Sequence, residues 1–151
     1  MNELITTIDD VVKFGLQSNL ALPDKNKVLE RSLIKIYSLY FDISHQFDNI
    51  DYPEFEKFTK PNIRQNVESN FPDFGFYKTV LDYDSVENLN EIGIGDAIDD
   101  LTDIINDLLE IKWRIENNSL ADGLWFFELI FKSHTQQHIL ELLNYIKKKS
   151  G

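Results

Sequence analysis

The chain has 151 residues, with 15 Lys and Arg against 26 Asp and Glu, and a formal net charge of -11. It contains no cysteine, which excludes disulfides, thiolate metal sites and cysteine nucleophiles, so any reactive or metal site must be built from His, carboxylates, Ser, Thr or Lys. Hydrophobic residues at 42% and aromatics at 13% argue against disorder and predict one domain over residues 1–151.

So acidic a chain is repelled by other polyanions, which predicts no nucleic acid and no membrane surface as a direct partner. It suits a basic protein partner or a cation, although solubility alone would also account for the excess. The opening MNELITTIDDVV carries acids and no basic stretch ahead of an apolar one, so no signal peptide is expected. The most apolar run, Leu124 to Phe131, is interrupted by Glu128 and falls far short of the roughly 20 residues of a membrane span. A cytoplasmic location follows as the expectation.

Asn2 to Leu20 places Leu4, Ile8, Val11, Val12 and Leu16 three to five residues apart, a helical stripe. Pro23 breaks it, and Asp24 is the candidate N-cap of the next segment. That segment, Lys25 to Phe47, carries Leu29, Leu33, Ile36, Tyr40, Ile43 and Phe47 and predicts a long amphipathic helix. His45 stands alone on it as a surface or boundary residue. Asp48 to Asn90 is irregular and holds Pro53, Pro61 and Pro72. A short helix is expected from Pro61 to Phe71, because proline suits a first helical turn. The run Phe71-Pro72-Asp73-Phe74-Gly75-Phe76-Tyr77 predicts an aromatic-rich turn whose rings plug the core.

Gly95 to Asn117 is the clearest helix. At about 100° per residue, Ile98, Leu101, Ile105, Leu108 and Leu109 share one face. Asp96, Asp99, Asp100, Asp103, Asp107 and Glu110 gather on the opposite one. The last segment, Asp122 to Lys149, opens on an acid as possible N-cap and ends on Lys147-Lys148-Lys149, matching the helix dipole at both ends. Leu124, Phe127, Phe131, His134, His138, Leu142 and Tyr145 form its apolar stripe. No segment shows sustained period-two alternation. The fold class expected is all-α: an antiparallel helical bundle of four long helices plus one short helix, with the aromatic-rich irregular segment before the last two.

One constellation has the spacing of a ligand set. His134 and His138 stand at i, i+4 and point two imidazoles the same way, while Asp103 and Asp107 repeat that spacing with carboxylates. If the two helices face each other, His134, His138, Asp103 and Asp107 could hold a divalent metal, the only cofactor the sequence suggests. Without metal, the histidines would be core residues satisfied by a carboxylate or backbone carbonyl, and the aspartates a solvated face. Between these lies direct Asp–His pairing across the helices, which raises a histidine pKa and sets register. His134-Thr135-Gln136-Gln137-His138 is not the zincin motif, because Thr135 stands where the general base would be.

Other matches fail on context. Gly93-Ile94-Gly95 precedes a helix, but no strand pattern leads into it, no lysine follows and Asp96 would repel a phosphate. Asp73-Phe74-Gly75 spells a kinase triplet without the other kinase motifs. Asn117-Asn118-Ser119 is a glycosylation sequon with meaning only in a secreted protein. The charge pattern is more pointed: between Lys78 and Lys112 there is no basic residue, while Asp82, Asp84, Glu87, Glu91, Asp96, Asp99, Asp100, Asp103, Asp107 and Glu110 all fall there. Such a field speeds encounter with a basic partner and collects divalent cations.

Three stretches resemble domain of unknown function family 5063, a bacterial helical family. They are the turn Asn70 to Tyr77, the acidic run Asp99-Asp100-Leu101-Thr102-Asp103-Ile104-Ile105-Asn106-Asp107-Leu108, and the pair His134 and His138, with Thr135 and Gln136 where the family pattern has Trp and Gly. The resemblance implies an all-helical fold without an established activity, and directs attention to Asp100, Asp103, Asp107, His134 and His138. The leading expectation is a non-enzymatic interaction protein, toxin-neutralising in its most concrete form, docking a basic partner through Asp96, Asp99, Asp100, Asp103, Asp107 and Glu110. The alternative is a metal-binding or hydrolytic bundle built on the His/Asp cluster.

Overall fold

The computed structural model describes residues 2–44, 47–56 and 62–150. The chain is mostly helical, with one small two-stranded sheet. Among the described residues no helix is long and apolar enough to cross a membrane.

Helix α1 (Asn2–Leu16) buries Leu4, Ile8, Val11 and Val12 of the stripe its spacing predicts, while Leu16 at its end is exposed. It stops short of Leu20 because a side chain from far along the chain terminates it. Asn70 donates from Nδ2 to Phe14 O at 2.9 Å and Gln17 O at 2.8 Å, and its Oδ1 accepts from Leu20 N at 2.8 Å. The carbonyls that end a helix need such partners when buried. Asp24 precedes helix α2 (Lys25–Tyr40) but does not cap it. It sits at φ 51° and makes no side-chain cap hydrogen bond, in the left-handed region that Asp tolerates better than most residues.

Helix α2 buries Leu29, Leu33 and Ile36 and ends at Tyr40, not Phe47. The Tyr40 ring stacks on Phe131 at 4.2 Å and Ile43 still packs against the core, whereas Phe41 and Phe47 are 68% and 73% exposed, so a longer helix would gain little packing to hold it. His45 lies outside the described residues, as does Pro61. The short helix α3 runs from Ile63 to Asn70, preceded by Asn62. Phe71 then packs edge-on against Phe14 at 4.9 Å and stacks on Phe74 at 4.6 Å, the expected aromatic plug. Phe76 does not join it and is largely exposed.

The chain next forms a hairpin that the sequence reading missed: β1 (Phe76–Val80) pairs antiparallel with β2 (Ile92–Asp96), Tyr77 opposite Gly95 and Thr79 opposite Gly93. Glycine weakens a strand pattern, yet here it is required. A Cβ on Gly95 would lie 2.1 Å from the Tyr77 ring.

Helix α4 (Ala97–Asn117) is the central element, packed on α1, α3, α5 and α6. Leu101, Ile104, Ile105, Leu108 and Ile111 are fully buried along it, each such side chain stabilising the fold by about 1.5–3 kcal/mol. Asp96 caps its start by accepting from Ile98 N at 3.0 Å.

The single C-terminal helix expected from the sequence is instead two helices joined by a π-helical turn: α5 (Leu120–Ile130), the turn Phe131–Thr135, and α6 (Gln136–Lys149). Ser119, not Asp122, caps α5 by accepting from Asp122 N at 3.0 Å, which frees Asp122 to pair with Arg114 at 3.2 Å. This rod runs antiparallel to α4: Gly123 lies against Ile115, His134 beside Asp107 and His138 beside Asp100.

Candidate metal centre

Helix α4 lays its acidic face against the π-helical turn and the start of α6. Asp107 Oδ2 accepts from Thr135 Oγ1 at 2.7 Å and stands 2.7 Å from His134 Nδ1. Adjacent residues of a regular helix point about 100° apart, so His134 and Thr135 reach one oxygen only because the turn is widened there. Ile130 O, 3.3 Å from the same hydroxyl, is the alternative acceptor for its one proton. Widened turns of this kind are frequent at functional sites.

One helical turn further along α6, and two turns back along α4, Asp100 Oδ1 stands 2.7 Å from His138 Nδ1, while the Tyr77 hydroxyl donates to Asp100 Oδ2. Tyr77 also reaches Glu141 Oε2 at 3.2 Å. Glu141 Oε1 in turn accepts from Gln137 at 3.1 Å and Thr79 at 3.3 Å. The hairpin thus completes the site from the side opposite the π turn. Asp100 is 4% exposed and every hydrogen bond it makes in this network is accepted.

These contacts set the tautomers. A carboxylate only accepts, so both Nδ1 atoms carry the proton and both Nε2 atoms turn away from their aspartates. The two Nε2 atoms meet 3.2 Å apart, and Asp103 Oδ2 lies 3.4 Å from His138 Nε2. In neutral rings this places two lone pairs and a carboxylate oxygen against one another. The repulsion is relieved by a proton on one Nε2 or by a cation among the three.

The charges respond accordingly. The hydrogen bond to Asp100 raises the His138 pKa, with Asp103 and Glu141 adding to it and burial opposing. Burial raises the Asp103 pKa, and Asp99 adds to that while both histidines oppose it. Burial and the bond to Asp100 hold the Tyr77 hydroxyl firmly protonated.

The distances suit a metal. Zinc with bonds of about 2.0–2.2 Å in a tetrahedron sets neighbouring ligand atoms on the order of 3.3 Å apart, close to the 3.2 and 3.4 Å observed. Ligand atoms of Asp103, His134 and His138 all lie within 4.8 Å of one another. Each histidine donates its remote ring N–H to a carboxylate, the arrangement that orients and strengthens an imidazole ligand. Asp103, Asp107 and His134 also line a groove of about 1350 Å³, walled by Trp113, Phe126 and Ile130 among others.

The six carboxylates expected to form one solvated face are divided among three tasks. Asp96 and Asp99 both pair with Arg64, at 3.0 and 3.1 Å. Glu110 pairs with Arg114 at 3.0 Å, with both groups largely buried. Asp100, Asp103 and Asp107 belong to the histidine cluster, and of the six only Asp99 is exposed. Of the four residues expected as ligands, His134, His138 and Asp103 converge. Asp107 instead meets the opposite ring nitrogen of His134, so it orients that ring from the side away from Nε2. The histidines are half-buried at the edge of the core rather than deep within it, and each is satisfied by a carboxylate across the helices: the expected pairing of Asp107 with His134 is present, while His138 pairs with Asp100 as well as approaching Asp103.

Tyr77, Thr135 and Glu141 were missed. Glu141 follows His138 by three residues, a helical spacing that was readable. Tyr77 and Thr135 enter through the hairpin and the widened turn, neither of which periodicity reveals. No family model matches the chain, and neither does any curated protein or solved structure.

Proposed function

We propose that this chain binds a divalent transition metal, zinc being the type, through Nε2 of His134, Nε2 of His138 and a carboxylate oxygen of Asp103. The observation that carries the reading is the meeting of two Nε2 atoms at 3.2 Å with both Nδ1 atoms committed to carboxylates. Asp107 and Asp100 hold the two rings, Thr135 and Tyr77 hold those carboxylates in turn, and no thiolate is needed. Three protein ligands leave a fourth position, and with His134 and Asp103 on the groove wall that position faces water or a small ligand. Zinc held this way brings the pKa of a bound water to about 7, the chemistry a hydrolytic role would use. The same residues carry a proposed relation to domain of unknown function family 5063. The long helical runs α1, α2, α4 and the α5–α6 rod are proposed to form an antiparallel bundle around the centre.

The test is metal analysis of untagged protein purified without chelator, followed by zinc titration of the stripped protein. The expected result is one equivalent of zinc that raises the thermal midpoint and is lost in both His134→Ala and His138→Ala. A metal-free protein whose midpoint does not move on adding zinc, cobalt or nickel overturns the reading.

A further inference from the structure

The hairpin presents its faces the wrong way round for an isolated protein. An antiparallel pair with one covered side ordinarily turns apolar residues inward and polar ones to water. Here the inward residues are Tyr77, Thr79, Gly93 and Gly95, while Phe76, Val80, Ile92 and Ile94 face out and are 55–81% exposed. A one-residue slip in register would exchange the faces, but the structure blocks it. Tyr77 is tied to Asp100 and Glu141, Thr79 to Glu141, and the Tyr77 ring lies where a Cβ of residue 95 would be. The loop between the strands extends the same surface with Tyr83, Val86 and Leu89, all at least 80% exposed. Clustered apolar exposure of this kind marks a docking surface.

The charges around it say what docks. Asp82, Asp84, Glu87 and Glu91 stand in the connecting loop, and no Lys or Arg occurs from Thr79 to Ile111. Unlike the acids of α4, none of the four has an ion-pair partner among the described residues. Lys78 is the one base on the outward face of the strands. An apolar centre with an acidic rim complements an apolar centre with a basic rim, and it repels nucleic acid and anionic lipid. We infer that the outward face of the β1–β2 hairpin, with its acidic loop, docks a protein segment carrying Lys or Arg among bulky apolar residues. This rests on the hairpin alone and is independent of metal at the histidine cluster.

The experiment selects binders of the full chain from a displayed library of random linear peptides and measures them against three variants. Ile94→Ser removes apolar surface from the centre, Glu87→Lys reverses a rim charge, and Ile34→Ser alters an exposed isoleucine on α2 as control. The expected result is enrichment of peptides that interleave Lys or Arg with aromatic or aliphatic residues. Their affinity should fall at least about tenfold in Ile94→Ser, fall again with added salt, fall in Glu87→Lys, and hold in Ile34→Ser. Circular dichroism confirms that each variant folds, and Val86→Ser in the loop replaces Ile94→Ser if that variant does not. The inference is overturned if no peptide enriches, if the enriched peptides lack basic residues, or if folded Ile94→Ser binds them as tightly as the parent. It is equally overturned if light scattering shows a dimer that Ile94→Ser dissociates, since a second copy then covers the face.

Discussion

Replacing Asp100 by Asn tests the proposed metal centre through the partner of one proposed ligand rather than through the ligand itself. Asp100 takes the Nδ1 proton of His138 on one oxygen and the Tyr77 hydroxyl on the other. Asparagine offers one acceptor and one amide donor, so one of these two contacts must reverse. If the amide faces His138 it donates to Nδ1, and the ring proton moves to Nε2, where it displaces the metal. If the amide faces Tyr77, the hydroxyl must turn its proton to Glu141 Oε2, 3.2 Å away. His138 then keeps its tautomer but loses the anion that makes it a strong donor. The second case is the milder one, and loss of such an outer partner costs about 10–100-fold in metal affinity, about 1.4–2.8 kcal/mol.

The metal-free protein suffers less than the loss of two charged hydrogen bonds would suggest. One bond changes from a charged to a neutral acceptor and the other reverses to a neutral donor, each weakening by roughly 1–1.5 kcal/mol. Against that, a buried amide is cheaper to desolvate than a buried carboxylate. The net cost is at most about 2–3 kcal/mol, so the variant folds and can be measured. Zinc calorimetry on parent and Asp100→Asn at one pH, beside thermal unfolding of both stripped proteins, reads the two effects separately. A folded Asp100→Asn that binds zinc as tightly as the parent refutes the assignment of His138 Nε2 as a ligand oriented by Asp100.

Two further outcomes follow from the same contacts. The His138 pKa is raised above its ordinary 6.5 in the fold, so protonated His138 stabilises the metal-free protein fully below about 6.5, and this is lost as pH rises through the higher folded value. Metal needs the neutral ring, so zinc affinity should rise over that same window, and calorimetry across it checks the sign. Affinity that falls with rising pH contradicts the ligand set. Gly95→Ala drives a Cβ into the Tyr77 ring and should cost about 1–3 kcal/mol by overpacking, with weaker zinc binding as Tyr77 leaves Asp100. Gly75→Ala, whose Cβ would meet nothing nearer than the Tyr145 hydroxyl at 3.9 Å, should unfold with the parent. Equal midpoints for the two variants would show that Tyr77 yields freely.

Much of this protein was readable in the chain itself. The stripes of α1, α2 and α4 depend only on the 3.6-residue period and on apolar side chains, both local properties. The i, i+4 spacing of His134 and His138 is likewise local, as is the absence of cysteine that leaves metal chemistry to His and carboxylates. The helix ends were less legible. What stops α1 is Asn70, brought from more than fifty residues away, and α2 ends where Tyr40 meets Phe131.

The roles within the site depended on packing throughout. Periodicity put Asp100, Asp103 and Asp107 on a polar face, and a polar face borders either water or another polar face; the antiparallel approach of α6 made it the latter. The π-helical turn inserts one residue's worth of rotation that no spacing rule anticipates, and through it Thr135 joins His134 on Asp107. That shared oxygen sets Asp107 on the Nδ1 side of the His134 ring, away from the proposed ligand atom. The hairpin was hidden for the converse reason, since its inward glycines carry no pattern until Tyr77 fills the space they leave. Which residue types could bind metal was thus a matter of composition and spacing, while which nitrogen each histidine presents depended on what stood at its other end.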